Sequence, residues 1–348
     1  MRAVVVENPG KLAIRDIPTP RPGPYEALVR MEVAAICNST DTKILEGHLA
    51  FVEQYPTTLG HEGLGTVVEV GEKVVSYRPG DRVINACTLQ TGVEGLGSGW
   101  GTMAEYALAG DFAAMSRDGV CDEEHGFDGA YETQKVLPPD IPARQAILLS
   151  TWREVWSSFS DFGFVPGRSV LVVGGGPVGL SFAMLARQFG MGPVSLATRS
   201  QWKLDKALRL GAEVVFPADA GLVARAKERF PEGLDHVVDA VGSSAVINQA
   251  LSLVKLDGTV GVYGTLAEKS LPLSLEGVPS NWRMVVHQWP NYPREAAAQE
   301  PLCEMIREGS ISSEEFITHE LPFEQVADGF ALIKENRALK VLLHFRGE

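Results

Sequence analysis

One stretch near the middle of the chain constrains the fold more than any other. The apolar run Val170–Val173 leads directly into Gly-Gly-Gly-Pro-Val-Gly and then into a helical pattern. Here the first glycine permits a tight turn, the second admits a pyrophosphate, and the third lets the helix pack on the strand. Free N–H groups and the positive dipole end of that helix attract phosphate. The stretch predicts a dinucleotide site formed by Gly174, Gly176, Pro177, Val178 and Gly179.

Around this turn, short apolar strands alternate with helical segments. The predicted strands are Ser169–Val173, Pro193–Ala197, Glu213–Phe216, Asp235–Asp239 and Thr259–Tyr263. The predicted helices are Arg144–Phe162, Gly179–Phe189, Lys203–Leu210, Ala220–Arg229 and Ser244–Leu253. Such alternation implies right-handed crossovers and a doubly wound parallel sheet, so this part is of the α/β class.

The segments before and after this part differ from it. Up to about Leu108, β-branched runs are separated by Gly and Pro, which predicts a compact barrel or sandwich, and the chain closes with the strand Lys340–Phe345. The polar region Asp111–Thr133 is expected to be a long surface loop, either a functional lid or interface element or a solvated excursion. We therefore expect a β-rich domain of residues 1–145 and 290–348, interrupted by an α/β domain of residues 146–289.

Composition excludes several classes of partner. The 348 residues carry 31 Lys and Arg against 44 Asp and Glu, a net charge of −13, which disfavours nucleic acid and anionic membranes. The N-terminus lacks the apolar block of a signal peptide, and no apolar run approaches membrane-spanning length. The four cysteines are widely scattered, which argues against a disulfide framework. A cytoplasmic location and a small-molecule substrate are the expectations.

The residues after the second strand of the α/β part bear on the choice of nicotinamide cofactor. A site for NAD places Asp or Glu there, whereas this chain has no acid from Thr198 to Leu204. A guanidinium aided by a hydroxyl and an ammonium can bind a 2′-phosphate. Thr198, Arg199, Ser200 and Lys203 are thus candidates for an NADP(H) clamp. Alternatively, Arg199 and Lys203 are solvated residues at a helix start, and either cofactor is accepted.

Two segments of the N-terminal part carry metal-binding residue types. Cys37 stands in Ile-Cys-Asn-Ser-Thr-Asp, and His61 and Glu62 stand in Leu-Gly-His-Glu-Gly. A thiolate, an imidazole and a carboxylate are the ligands of open catalytic zinc sites. One cysteine and one histidine alone are more often core residues, but the flanking glycines indicate a tight backbone around the His-Glu pair.

The chain resembles the medium-chain dehydrogenase/reductase superfamily, in particular its zinc-dependent alcohol and polyol dehydrogenases, which include sorbitol and glucose dehydrogenases. The resemblance rests on Gly60-His61-Glu62-x-x-Gly65-x5-Gly71, Gly80-Asp81-Arg82-Val83, Gly174–Gly179, Asp239-x-x-Gly242 and Asp257-Gly258-x5-Gly264. It implies a GroES-like catalytic domain split around a Rossmann domain, with the active site in the cleft between them. It also implies that Cys37 and His61 are catalytic zinc ligands and that Glu62 is a third or alternating ligand. Relatives pair through a Rossmann edge strand, here Thr259–Tyr263, which implies a homodimer or homotetramer.

Three departures from the family pattern stand out. The position of a further zinc ligand is Ser150, a poor ligand, and Glu154 one helical turn later is a candidate substitute; otherwise water completes the site or the metal is lost. The lone Cys87 replaces a four-cysteine lobe, so we expect no structural zinc. The Cys37 motif is one residue longer than usual, so either Ser39 or Thr40 is the relay hydroxyl that passes the substrate proton to solvent. Asp41 is expected to orient His61 as a hydrogen-bond acceptor.

The function expected from these features is oxidation and reduction. Zinc-assisted hydride transfer between NADP(H) and an alcohol, with a sugar or polyol as one option, is the leading hypothesis. The alternatives are a zinc-free NADPH-dependent quinone or enone reductase, and a non-catalytic NADPH-binding protein.

Overall fold

The computed structural model describes residues 1–49, 52, 54–266, 268, 270–289 and 291–345. The chain divides into two compact units. The first comprises Met1–Ser150, Tyr292–Arg307 and Ser312–Glu348, and the second comprises Thr151–Asn291 and Glu308–Ile311. The second unit thus includes the short segment Glu308–Ile311, which lies within the stretch 290–348 expected to belong to the first unit.

The elements are numbered along the chain. The strands are β1 Arg2–Asn8, β2 Lys11–Asp16, β3 Glu26–Ala35, β4 Thr57–Thr58, β5 Glu62–Val70, β6 Arg82–Ile84, β7 Tyr106–Gly110, β8 Lys135–Val136, β9 Val170–Val173, β10 Val194–Thr198, β11 Val214–Pro217, β12 Leu234–Asp239, β13 Val254–Val262, β14 Trp282–Val286, β15 Ile317–Pro322 and β16 Lys340–His344. The helices are α1 Thr40–Glu46, α2 Phe112–Asp118, α3 Ala143–Ala146, α4 Leu149–Phe162, α5 Pro177–Gln188, α6 Gln201–Arg209, α7 Leu222–Arg229, α8 Ser244–Leu251, α9 Tyr292–Ala297, α10 Gln299–Arg307 and α11 Val326–Lys334. Short 3₁₀ turns occur at Glu123–His125, Gly129–Thr133 and Phe323–Gln325. None of the helices described is both long and apolar enough to traverse a bilayer.

The first unit is built on two sheets. One has the order β2-β1-β4, and the other has the order β15-β16-β3-β5-β6-β8 with β7 also paired to β3. Antiparallel pairing places Ala35 of β3 opposite Glu62 of β5 and opposite Leu342 of β16. Three strands that are distant in sequence therefore lie side by side at one end of the larger sheet.

The second unit contains one six-stranded sheet in the order β11-β10-β9-β12-β13-β14. Every neighbouring pair in it is parallel. This is the strand order of a dinucleotide-binding doubly wound fold, in which the carboxyl ends of the strands form the ligand side. Strand β9 is fully buried, because a central parallel strand is covered on both faces by helices. The predicted class, a β-rich unit together with a doubly wound α/β unit, is confirmed.

Three predicted elements were wrong in detail. The region Asp111–Thr133 contains α2 and two 3₁₀ turns rather than one loop. The side chain of Asp111 accepts a hydrogen bond from Ala114 N–H, and Gly119 ends α2 in a left-handed conformation. Caps of this kind stabilise a seven-residue helix whose apolar periodicity is too short to be recognised.

The predicted helix Arg144–Phe162 is divided into α3 and α4. Four consecutive residues, Ala146, Ile147, Leu148 and Leu149, are fully buried. A tight turn, in which Leu148 N–H donates to Gln145 O, separates the two helices within this buried stretch. Because the stretch is apolar throughout, the sequence carries no marker of the break.

The predicted edge strand of the parallel sheet was also wrong. Strand β13 lies inside the sheet, and β14 occupies the edge beyond it. The segment Trp282–Val286 was missed because it is only partly buried and follows a polar stretch rich in Gly, Pro and Ser.

Candidate functional site

The candidate metal ligands lie together at the end of the larger sheet in the first unit. Cys37 follows the end of β3, His61 immediately precedes β5, and Glu62 is the first residue of β5. Ligand atoms of these three residues all lie within 4.8 Å of one another. The pairing of Ala35 with Glu62 produces this arrangement, since it places the end of one strand beside the start of the other.

A buried carboxylate braces both ligand segments. Asp41 is fully buried, and its Oδ2 accepts a hydrogen bond from the backbone N–H of Cys37 at 2.8 Å. Its Oδ1 lies 3.3 Å from Nδ1 of His61, although the angles of this contact are not those of a hydrogen bond. Because Nδ1 faces Asp41, the nitrogen of His61 that remains for a metal ion is Nε2.

The charge around His61 suits a cation. Burial opposes a proton on the imidazole, but Asp41 and Cys37 outweigh it and hold the pKa of His61 well above its ordinary value. The same concentration of negative charge would attract a divalent cation, whose binding releases that proton. The donor set of thiolate, imidazole and carboxylate, with its ligand atoms within 4.8 Å of one another, therefore fits a zinc ion.

Glu62 has a competing partner that the sequence did not reveal. Nζ of Lys340, on β16, lies 2.6 Å from both carboxylate oxygens of Glu62, and both side chains are buried. Burial favours the neutral amine, but Glu62 and Cys37 outweigh it and raise the pKa of Lys340. Lys340 belongs to no recognisable motif. Only the pairing of β16 with β3 brings it beside a residue 278 positions earlier in the chain.

The position expected to hold a further zinc ligand makes a different contact. Ser150 is buried, and its hydroxyl donates to Oδ1 of Asn85 at 2.5 Å. The backbone N–H of Asn85 donates in turn to the carbonyl of Gly63 at 2.8 Å, next to Glu62. The substitute candidate, Glu154, belongs to the second unit, where its Oε2 accepts from the hydroxyl of Tyr263 at 3.4 Å. Ligation by Glu154 stays a prediction.

Two hydroxyls remain as relay candidates. Ser39 is exposed and occupies the N-cap of α1 without a side-chain capping bond, whereas Thr40 is half-buried as the first residue of that helix. Both stand between the ligand Cys37 and the brace Asp41. The structure thus leaves both hydroxyls as alternatives.

An aromatic ring that sequence reasoning missed borders the same cluster. The indole of Trp100 lies 5.3 Å from the imidazole of His61, measured between ring centroids, at a tilt of 54°. Its backbone φ is +68°, in the left-handed region. The signal available in the sequence was a tryptophan placed between two glycines, Gly99 and Gly101.

In the second unit, each glycine of the turn after β9 has a distinct steric role. Gly174 has a φ of +130°, where a side chain is strained. A Cβ on Gly179 would lie 1.8 Å from the carbonyl oxygen of Gly174, so a side chain is sterically excluded there. A Cβ on Gly176 would meet nothing within 4 Å. That open space lies at the N-cap of α5, where Pro177 begins the helix, as a pyrophosphate site requires.

The residues after β10 form a positive group. Thr198 is buried at the end of β10, Arg199 is exposed, and Ser200 is the N-cap of α6. Burial, together with the charge of Arg199, lowers the pKa of the half-buried Lys203. An anion bound beside these two cations would relieve their mutual repulsion.

Cys87, the residue left in place of the four-cysteine lobe, is buried. Gln134 Nε2 donates a hydrogen bond to its sulfur at 3.2 Å, and burial raises the pKa of the thiol to about 12. Cys87 is therefore a packing residue kept in the thiol form, and the absence of a structural zinc stays a prediction.

Comparison with known proteins agrees with both units. The alcohol dehydrogenase GroES-like domain family matches residues 23–116, and the zinc-binding dehydrogenase family matches residues 177–290, which together exceed half of the chain. Sorbitol dehydrogenase of Halalkalibacterium halodurans is 26% identical over 344 residues, covering 96% of each chain. Sorbitol dehydrogenase of Bombyx mori is 28% identical over 367 residues, covering 98% of each chain. The alcohol dehydrogenase TADH from Thermus sp. ATN1 superposes with a TM-score of 0.80 at 27% identity, over 99% of this chain and 100% of that one.

One conclusion follows from the strand orders of the sheets, the two family matches and the similarity to known dehydrogenases along nearly the whole chain. This chain belongs to the medium-chain dehydrogenase/reductase superfamily, in its zinc-dependent alcohol and polyol dehydrogenase-like branch, and is an alcohol dehydrogenase-like oxidoreductase.

Proposed function

We propose that this protein catalyses reversible hydride transfer between NADP(H) and a small alcohol or polyol, with one catalytic zinc ion. The observation that carries the proposal is the cluster of Cys37, His61 and Glu62, whose ligand atoms lie within 4.8 Å of one another.

Cys37 and His61 are the fixed ligands in this proposal. Bound zinc supplies Lewis-acid polarisation of the substrate oxygen and lowers the pKa of its hydroxyl. Asp41 holds the backbone of Cys37 and faces Nδ1 of His61, so it orients both ligands toward one point. Glu62 alternates between Lys340 and the metal, and Glu154 is the candidate for a remaining position.

The proton of the substrate hydroxyl needs a route to solvent. Ser39 or Thr40 hydrogen-bonds to the substrate oxygen, takes up its proton and releases its own hydroxyl proton to water. The exposure of Ser39 and the half-burial of Thr40 support a short path to water from either hydroxyl.

The second unit binds the cofactor. The nicotinamide supplies the hydride acceptor in one direction and the hydride donor in the other. Gly176 leaves room for the pyrophosphate at the start of α5, with Pro177 and Val178 beginning the helix. The absence of an acid from Thr198 to Leu204, together with the paired charges of Arg199 and Lys203, supports NADP(H) over NAD(H).

A second candidate function is a zinc-free NADPH-dependent reductase of the quinone or enone type. The hydrogen bond from Ser150 to Asn85 favours it, because a residue at the usual ligand position is already engaged elsewhere. Metal analysis of the purified protein separates the two. About one zinc per chain supports the leading proposal, and undetectable metal with retained turnover supports the second.

Association into a homodimer or homotetramer is part of the proposal. Strand β14 forms one edge of the parallel sheet, and Val286 at its end is 48% exposed. An unpaired edge of this kind can add a strand from a second copy. Sedimentation equilibrium of the wild type and of Met284→Pro, which disrupts the edge, tests this association.

Substitution of the fixed ligands tests the catalytic proposal. Cys37→Ala and His61→Ala should abolish turnover and zinc binding, while NADPH titration remains as in the wild type because the cofactor turn lies in the other unit. Cys121→Ala and His125→Ala, which change the same residue types at exposed positions, are the matched controls. Full activity of both ligand variants would remove zinc from the mechanism.

A further inference from the structure

The indole of Trp100 forms an apolar wall beside the candidate metal site. It lies 5.3 Å from the ring of His61, and Trp100 is half-buried and packs against an apolar core of the first unit. That core includes Ile44, Leu59 and Met103. Since the core fixes one side of the indole and the ligand imidazole contacts another, the ring has little freedom to move away.

The backbone of Trp100 is held in a conformation that is rare for a large residue. Trp100 and Gly101 both have a φ of +68°, in the region that favours glycine. Three backbone hydrogen bonds around the turn hold it: Thr88 N–H to Trp100 O at 2.6 Å, Gly99 N–H to Thr58 O at 3.0 Å, and Thr102 N–H to Gly60 O at 2.9 Å. Two of these reach the segment directly before His61. Strain retained by a well-bonded surrounding is characteristic of functional sites.

The orientation of His61 sets what the indole borders. Its Nδ1 faces Asp41, so the metal-binding edge of the imidazole is the Nε2 edge. A ring in contact with this imidazole borders one of the two fixed ligands of the candidate metal site. Indole is rigid and bulky, so it limits the volume on that side more firmly than an aliphatic side chain would.

We propose that Trp100 is a specificity-determining residue that restricts the group attached to the reacting carbon, so that the substrates are short, unbranched alcohols and their aldehydes. The inference rests on the proposed function, because it requires a metal at Cys37 and His61. It goes further by assigning a limit on substrate shape to one side chain.

The variants are chosen to separate loss of the wall from other effects. Trp100→Gly removes the indole and suits the positive φ, whereas Trp100→Phe keeps an aromatic ring of smaller size. Trp100→Leu replaces the glycine variant if that one fails to fold by circular dichroism. Asn336→Gly is the matched control, because Asn336 is another non-glycine residue at positive φ, 56°, and follows α11 away from the ligand segments in sequence.

The first measurement does not depend on turnover. Zinc is replaced by Co²⁺, and the dissociation constants of imidazole and 4-phenylimidazole are read from the visible absorption of the metal. Both probes bind the metal through one ring nitrogen. The ratio of their dissociation constants therefore reports how much room the phenyl group has beside the metal. We expect Trp100→Gly to lower the dissociation constant of 4-phenylimidazole, relative to that of imidazole, at least tenfold. The change in this ratio should be smaller in Trp100→Phe and absent in Asn336→Gly.

The second measurement is the ratio of kcat/KM for cyclohexylmethanol to that for 1-propanol. We expect this ratio to rise at least tenfold in Trp100→Gly and to stay unchanged in Asn336→Gly. An equal loss of kcat on both alcohols, with both ratios as in the wild type, would reduce Trp100 to a residue that packs His61 and overturn the inference. Failure of Co²⁺ to bind the wild type would instead contradict the proposed metal site.

Discussion

Nζ of Lys340 lies 2.6 Å from each carboxylate oxygen of Glu62, and the pair is buried among the strands that carry the candidate metal ligands. This contact neutralises the charge of Glu62 without a metal ion. It also means that Lys340 competes with a metal ion for the carboxylate oxygens of Glu62, which lie within the candidate ligand cluster.

Removal of Lys340 should therefore destabilise the fold. Lys340→Met leaves a buried carboxylate without its partner, which costs about 3–5 kcal/mol. The double variant Glu62→Gln/Lys340→Met should recover much of this loss, because no unpaired charge then remains. Urea unfolding of metal-free protein measures the cycle, and a coupling energy near zero would show that the ion pair does not contribute to stability.

The glycine turn after β9 gives a contrast between two neighbouring substitutions. Gly176→Ala should fold with a stability within about 0.5 kcal/mol of the wild type, because its methyl group meets no protein atom. It should still weaken NADPH at least tenfold by occupying the space for the pyrophosphate. Gly179→Ala should instead destabilise the second unit, since its Cβ would lie 1.8 Å from a carbonyl oxygen. Thermal unfolding and NADPH titration are the two readouts, and unchanged NADPH binding in Gly176→Ala would contradict the assignment.

Reversal of the charge at Arg199 should change the choice of cofactor. A charge-assisted hydrogen bond is worth about 1.5–3 kcal/mol, so Arg199→Glu should weaken NADPH on the order of 10–100-fold. NADH should bind as well as before or better. Arg209→Glu makes the same charge change in the last turn of α6, the helix that follows Arg199, and is the control. Equal losses for NADPH and NADH in fluorescence titrations would argue against a 2′-phosphate clamp.

His236 should make the second unit sensitive to acid. Burial, and then the nearby cations Arg168, Lys255 and Arg283, outweigh Asp235 and lower the pKa of His236 to about 4. The unfolded chain, with the ordinary histidine pKa of about 6.5, binds a proton that the folded state excludes until lower pH. Stability is therefore full above pH 6.5 and falls as the pH drops from 6.5 toward 4.

The expected loss is about 1.5 kcal/mol between pH 6.5 and pH 5. His236→Gln should remove this part of the pH dependence of unfolding, whereas His125→Gln, at an exposed position, should leave it in place. Identical pH profiles for the wild type and His236→Gln would show that His236 does not carry the effect.

The fold could be predicted from local patterns where those patterns are strong. Strand β9 and the glycines after it form one short continuous signal, and the alternation that follows leaves few topologies open. Helix α2 was missed because its stability comes from the cap at Asp111, and β14 was missed because only one neighbouring strand and partial burial support it.

The candidate site was predictable only in part. Cys37 and His61 lie in motifs that mark them, whereas Lys340 is an ordinary strand residue until β16 pairs with β3. Trp100 is marked in the sequence only by its two flanking glycines, and its contact with His61 depends on a backbone turn at positive φ. The role of Asn85 was likewise not visible in the sequence, because it depends on the hydrogen bond that its side-chain oxygen accepts from the hydroxyl of Ser150.

The order of strands in the larger sheet has a consequence for how the protein is made. Residues 151–291 supply nearly all of the second unit from one stretch of chain, whereas β3 of the first unit pairs with β16, which follows the second unit in the sequence. A chain that stops before Lys340 would keep both segments that carry candidate metal ligands yet leave Glu62 without its counter-charge. Premature termination ahead of β16 should thus yield a polypeptide that retains all strands of the parallel sheet but has an unpaired carboxylate at the candidate metal site.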